Sequence, residues 1–230
     1  MPASNIEIVQ IHDEAGRQRF VRFPWRVYRD DPLWVPPLIR SRLHTLDPMR
    51  GTFFQQGEAA LFMARRGGED VGTIVPWINH RANRYRGETV AGFGFFEVVE
   101  DYAAAEALLT TACDWARSRG MTLIRGPIYF SPEDSPGVLI EGFDYPPVVL
   151  VGHTPVYYAG FLERFGFRKY RDAYAYRIEA ASIGHNLEKL PPKLVRVAQA
   201  ARKRNRATIR SLRMDDWDDE IAKAMVIFNE

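Results

Sequence analysis

The side chains in this sequence that could carry chemistry are carboxylates, phenols and imidazole, not thiols. Glu97 falls late on a predicted long strand, where a carboxylate can take a proton through a water molecule. The same place also suits a plain solvent-facing strand residue. His153 stands just ahead of a predicted helix that opens at Pro155. An imidazole that titrates near ~6.5 suits a general base, and it equally suits a hydrogen-bonded surface role. Tyr157 and Tyr158 begin that helix. Ser131-Pro132-Glu133-Asp134-Ser135 makes an acidic loop tip, able to hold a cationic amine through Glu133 and Asp134 or to remain a solvated turn. Arg125, beside Gly126-Pro127, can meet an anion or pair with a carboxylate. No second histidine stands at ligand spacing from His153, and Cys113 is the single cysteine. No metal site is therefore expected.

Composition narrows the setting. The chain has 230 residues, 46% hydrophobic and 26% charged, an ordinary globular balance. A chain of this size can bury about 70% of its unfolded surface and needs no covalent staples. One cysteine excludes an internal disulfide framework. The apolar runs are too short and interrupted to span a bilayer, and residues 1–7 lack a basic segment followed by an apolar one. The expectation is a cytoplasmic protein. A net charge of +2 does not suggest a nucleic-acid binder. The charge is uneven, however, with nine basic residues in 189–213 and five acidic ones in 215–220. Such runs read as solvated faces, as a contact with anions or acidic lipid, or as an RNA contact through the basic helix.

The elements that must position these residues follow from periodicity and punctuation. Residues 6–11 read as a strand, and 14–29 as a helical stretch divided at Pro24. Pro32, Pro36 and Pro37 enforce an extended path. Residues 59–66 and 71–78 form an antiparallel hairpin about Gly67-Gly68, and 79–88 reads as a polar loop. Residues 89–99 form a long strand in which Gly92 and Gly94 allow a bulge. Asp101 caps a helix over 102–119, closed by Gly120, and a short buried strand follows at 121–124. Strand, helix and strand in that order imply a right-handed crossover and parallel pairing. A long Gly- and Pro-rich loop over 126–154 precedes the helix 155–165, and 167–178 alternates as a strand. Beyond a linker, a basic helix starts at Pro191-Pro192, with a strand at 208–212 and a helix from Asp215.

The order of elements resembles the GNAT fold of acyl-CoA N-acyltransferases: a mixed, mostly antiparallel sheet with a central parallel pair, flanked by helices. The local match is Tyr157-Tyr158-Ala159-Gly160-Phe161-Leu162-Glu163-Arg164-Phe165-Gly166-Phe167, similar to the late helix and Gly-Phe turn of that superfamily. Trp34-Val35-Pro36-Pro37-Leu38, with Gly126-Pro127 leading to Gly137-Val138-Leu139-Ile140-Glu141-Gly142-Phe143-Asp144, resembles a bacterial tandem GNAT-like family. That likeness extends loosely to bacterial enzymes that acylate sphingoid amines. The pattern implies residues 1–180 as a GNAT-like domain. Residues 181–230 then read as a linker helix and the start of a second, truncated one, because the ending repeats the opening pattern of strand, acidic cap and helix; the alternative is a C-terminal subdomain that packs back on the first.

The resemblance implies a direct attack of an amine on an acyl thioester, carried by CoA or by an acyl carrier. Phe93, Phe95 and Phe96 could line an acyl slot or be plain core, Phe95, Phe96, Val98 and Tyr102 would contact the cofactor, and Arg125 would replace a missing phosphate cradle. Glu97 or His153 would be the base. Tyr158 would protonate the leaving thiolate, with Tyr157 beside the substrate. Two departures stand out. The stretch Glu97-Val98-Val99-Glu100-Asp101-Tyr102 holds carboxylates where the superfamily has a glycine loop, and Leu162 sits where its acid tyrosine often lies. The aromatic content favours a small-molecule or lipid-like amine as partner, without nucleic acid; peripheral membrane contact and a homodimer stay open. The alternative is a non-catalytic GNAT-like domain that binds a ligand or serves structure.

Overall fold

The computed structural model describes residues 6–131, 137–148, 151–177, 179, 190–204 and 210–229. The chain divides into two compact units, Met1–Ala173 and Tyr174–Glu230.

In the first unit, β1 (Ile6–Ile11) leads through an Asp13 cap into α1 (Glu14–Arg22). The Asp13 carboxylate accepts the Gly16 N–H at 2.7 Å, answering one of the donors that a helix start leaves unpaired. Pro24 opens a new short helix, α2 (Pro24–Val27), as its ring requires. The proline-rich path leads to α3 (Ile39–Thr45) and a 3-10 turn (Thr52–Gln55), neither of which the sequence pattern announces. The hairpin expected about Gly67-Gly68 is present. Its first arm is broken into β2 (Gly57–Ala59) and β3 (Leu61–Arg66), and β4 (Glu69–Asn79) returns. The polar stretch expected as a loop is instead α4 (His80–Arg86). Asn79 caps its start through Ala82 N–H, and Gly87 closes it at φ 64°, a left-handed position that suits glycine.

β5 (Val90–Val98), α5 (Tyr102–Arg117) and β6 (Leu123–Arg125) make the expected crossover. The sheet order is β1-β3-β4-β5-β6, with β2 also on β4; every pair is antiparallel except β5 with β6. That is the GNAT-like architecture. α6 (Tyr157–Phe165) ends at Gly166, φ 111°, as the Gly-Phe turn predicts. The strand expected over 167–178 is not formed in its described part. Tyr170, Tyr174 and Tyr176 are exposed. Alternation needs a partner edge to become a strand, and no edge is joined here.

Two cores lie on the two faces of the sheet. One joins Phe93, Phe96 and Val98 to α5 and α6, through residues such as Leu108 and Tyr158. The other joins Phe95, Met63 and Val75 to Phe20, Val21 and Leu46. The second unit holds α7 (Pro192–Arg204), a 3-10 turn (Met214–Asp216) and α8 (Trp217–Asn229). Its Glu220 carboxylate takes Arg210 at 2.6 and 2.8 Å and Arg213 at 3.3 Å. Of the strand expected over 208–212, residues 210–212 are irregular and the rest lie outside the described residues. Among the described residues no helix is long and apolar enough to cross a membrane.

Candidate active site

A bulge in β5 decides which way the key carboxylate points. Thr73 pairs with Glu97, but Val75 pairs with Gly94, so Phe95 and Phe96 together oppose Ile74. Phe95 sits at φ 48°, a conformation that costs a non-glycine residue about 1–3 kcal/mol. Its ring is buried and stacks on Tyr129 at 4.1 Å, which offsets that cost. Regular alternation from Phe93 would have put Glu97 on the α5 face. The extra residue sends Phe95 and Glu97 to the opposite face, toward α1, α2 and α3.

There Glu97 lines a cleft with Trp34, Arg42, Phe95, Tyr129, Gly152 and His153. It keeps a part of its surface open on that side and is otherwise enclosed by protein. Burial pushes its carboxyl up to about 7. Hydrogen bonds from Tyr158 and Tyr28 and the nearby Arg42 charge pull the other way without cancelling it. The Tyr158 hydroxyl donates to Glu97 Oε2 at 2.9 Å. The Tyr28 hydroxyl has two acceptors to serve, Glu97 and the His153 carbonyl at 3.0 Å. Burial and the Glu97 charge push both phenols well above their ordinary range, so both stay protonated.

A second polar pair closes the far wall. His153 Nε2 meets Asp31 Oδ2 at 2.6 Å, and Asp31 Oδ1 accepts the Leu33 N–H at 2.9 Å. Burial would raise the Asp31 carboxyl, but its bonds to His153 and Leu33 outweigh that and hold it below its ordinary value. Tyr28 stacks flat on Trp34 at 4.8 Å, and the Arg42 guanidinium lies 4.4 Å over Tyr129. The wall at 127–130 is pinned by Trp77 Nε1 on the Ile128 carbonyl at 3.1 Å and by Phe130 stacked on Phe53 at 4.1 Å. Apolar and aromatic surface with a few convergent polar groups is the character of a small-molecule site.

The expected residues fare differently. Glu97, His153, Phe95 and Phe96 all line the cleft. Tyr158 does touch Glu97, but its ring is fully buried in the core, so it holds the carboxyl rather than facing a thiolate. Tyr157 donates to the Val98 carbonyl at 2.7 Å. Val98 is buried, and its N–H donates to the Tyr158 hydroxyl at 2.8 Å. Tyr102 lies under the Arg164 guanidinium at 3.7 Å and against Phe161. Arg125 is a correction: it pairs along the sheet with Gly92, six residues before Val98, on the order of 20 Å from the α5 start. There it meets Glu88 at 3.5 Å and Tyr170 at 5.0 Å, so it cannot serve as a cradle at that helix. Glu133 and Asp134 lie outside the described residues. Among the described residues no three His, Cys, Asp or Glu groups converge as a metal site would require. Tyr28, Asp31, Arg42 and Tyr129 escaped the sequence reading. Tyr28 lies in the predicted helical stretch 14–29 and Asp31 just ahead of Pro32, and nothing local marks either as a neighbour of Glu97 or His153.

β6 pairs with β5 at Val90, Ala91 and Gly92, and the chain beyond β6 stays against β5 as far as Gly94. Ile128 N–H still reaches the Phe93 carbonyl at 2.7 Å, and a methyl group on Gly94 would come within 2.1 Å of the Ile128 carbonyl. At Val98 the freed edge is taken by Tyr157 and Tyr158.

No family model matches the chain. It is 32% identical over 231 residues to a bacterial ceramide synthase of Caulobacter vibrioides (strain NA1000 / CB15N), covering 99% of this chain and 58% of that protein. It is 30% identical over 211 residues to protein YghO of Escherichia coli (strain K12), covering 91% of this chain and 52% of that one. The chain thus spans about half the length of the curated relatives it matches. Among solved structures it is similar to AAC(6')-Iy in complex with the bisubstrate analog CoA-S-monomethyl-acetylneamine, at 14% identity and a TM-score of 0.46, over 77% of this chain and 100% of that one. A TM-score of that size is low, and the fold rests on the strand order and pairing.

Proposed function

We propose that this chain is a GNAT-like N-acyltransferase module whose cleft receives an amine with an apolar tail, with Glu97 as the group that takes the amine's proton. One observation carries the reading: a carboxyl raised to about 7 opens into an aromatic cleft. A base with a pKa near the working pH is the efficient one. In the reaction the amine nitrogen bonds the acyl carbon, the carbon–sulfur bond breaks, and amide and thiol are the products. The proton lost from nitrogen passes to Glu97 and returns through solvent to the thiolate. Tyr28 and Tyr158 are positioning residues that hold the carboxyl, and His153 with Asp31 lines the opposite wall. The likeness to a ceramide synthase supports a long-chain, sphingoid-type amine as acceptor, since a ceramide is an N-acylated long-chain amine.

The filled edge at Val98 and the capped start of α5 favour a second reading, a GNAT-like domain that binds the amine without acylating it. Incubating the protein with a sphingoid amine and a long-chain acyl thioester separates the two. The first reading expects amide by mass spectrometry, with Glu97→Gln inactive; saturable amine binding with no amide supports the second.

A further inference from the structure

The end of β5 that faces away from the cleft is already occupied by the chain's own groups. Asp101 Oδ1 accepts the N–H groups of Ala103 and Ala104 at 3.0 and 3.3 Å. Its Oδ2 takes Arg66 Nε and Nη2 at 2.9 and 2.6 Å. A helix start attracts phosphate through open N–H groups and its positive dipole end. Here two of those N–H groups are filled by a carboxylate that Arg66 holds in place, so they are not open to a phosphate. One step back, the Val98 N–H and carbonyl are bonded to Tyr158 and Tyr157 at 2.8 and 2.7 Å. An incoming amide arm would have to displace two hydroxyls, one of them on a fully buried ring. The residues present therefore do not fit the pyrophosphate of CoA at α5, nor its amide arm at Val98.

We propose, resting on the acyl-transfer reading above, that the donor is an acyl thioester read by its acyl group, with no contribution from the CoA nucleotide at the α5 start. The donor class is then a thioester on any small or carrier-borne thiol. The test compares one long-chain acyl group on CoA, on an acyl carrier protein and on N-acetylcysteamine, with the same sphingoid amine. The expected result is a kcat/KM within tenfold of acyl-CoA for at least one of the other two donors. A loss above tenfold with both overturns the inference and leaves the acyl-transfer reading standing. Amide with none of the three counts against acyl transfer itself, and a second measurement then decides the donor question. Calorimetric titration of CoA into wild-type protein and into Asp101→Asn, with thermal unfolding to verify that the variant is folded, should give no binding to wild type, or a wild-type affinity that the variant keeps within threefold; binding gained by the variant alone identifies Asp101 as the group that keeps the nucleotide out and supports the inference. A measurable wild-type CoA affinity that changes more than threefold on Asp101→Asn places the nucleotide at α5 and overturns the inference.

Discussion

The two sides of the β5 terminus differ in what their polar groups have left to do. On the α5 side, Asp101, Arg66, Tyr157 and Tyr158 bond to one another or to backbone. That side is a structural joint. On the cleft side, Glu97 accepts from Tyr158 yet keeps open surface, and burial raises its carboxyl to about 7. A buried acid costs stability whenever it ionises, so its presence beside an opening marks the side where chemistry is concentrated. The contrast predicts that substitutions on the cleft side change rates, and that substitutions on the α5 side change stability.

The largest effect is expected from Glu97→Gln, which should lower kcat for amide formation by roughly 10²–10⁴-fold, the usual range for loss of a general base. Steady-state kinetics with the variant shown to be folded by circular dichroism checks this. Next is the pH dependence of stability. With Glu97 raised from 4.5 to about 7, its contribution is fully present below 4.5 and is lost as pH rises through about 7, an expected fall of about 3 kcal/mol. Urea unfolding at pH 4.5 and pH 8 should show that fall in wild type and much less of it in Glu97→Gln. Over the same window the rate should rise with pH, because the ionised carboxylate is the base.

Tyr158→Phe sharpens the contrast, since Tyr158 serves both sides. It strips a partner from the buried Val98 N–H and should cost about 1–3 kcal/mol. It also removes a bond that favours the ionised Glu97, so the inflection of the pH–rate profile should move above about 7. A purely structural role would leave that inflection in place. The smallest effect is expected from Asp101→Ala, about 1 kcal/mol from the lost helix cap, with the rate of amide formation within twofold of wild type. A large rate loss there would break the division between the two sides.

Much of the frame could be read from local signals. Gly67-Gly68 marked the hairpin, Asp101 marked the cap of α5 with Gly120 three residues past its end, and the strand–helix–strand order gave the parallel pair. Gly92 and Gly94 hinted at the bulge, but the bulged residue is Phe95, held by a ring contact from 34 positions away that no local pattern encodes. The cleft was half legible. Glu97 and His153 stood out by type, whereas Tyr28 and Asp31 meet His153 across 125 and 122 positions of sequence and Arg42 lines the same cleft, contacts that no local pattern encodes. Arg125 was misplaced for a related reason: charge suggested a partner, and strand register put it at the other end of β5.

The most direct test is a carbon-13 NMR titration of the glutamate side-chain carboxyls in wild-type protein and in Glu97→Gln. One resonance should titrate near 7 in wild type and be missing from the variant. If every carboxyl in the wild-type protein titrates below about 5, Glu97 is an ordinary solvated acid, and the cleft has no base poised for an amine.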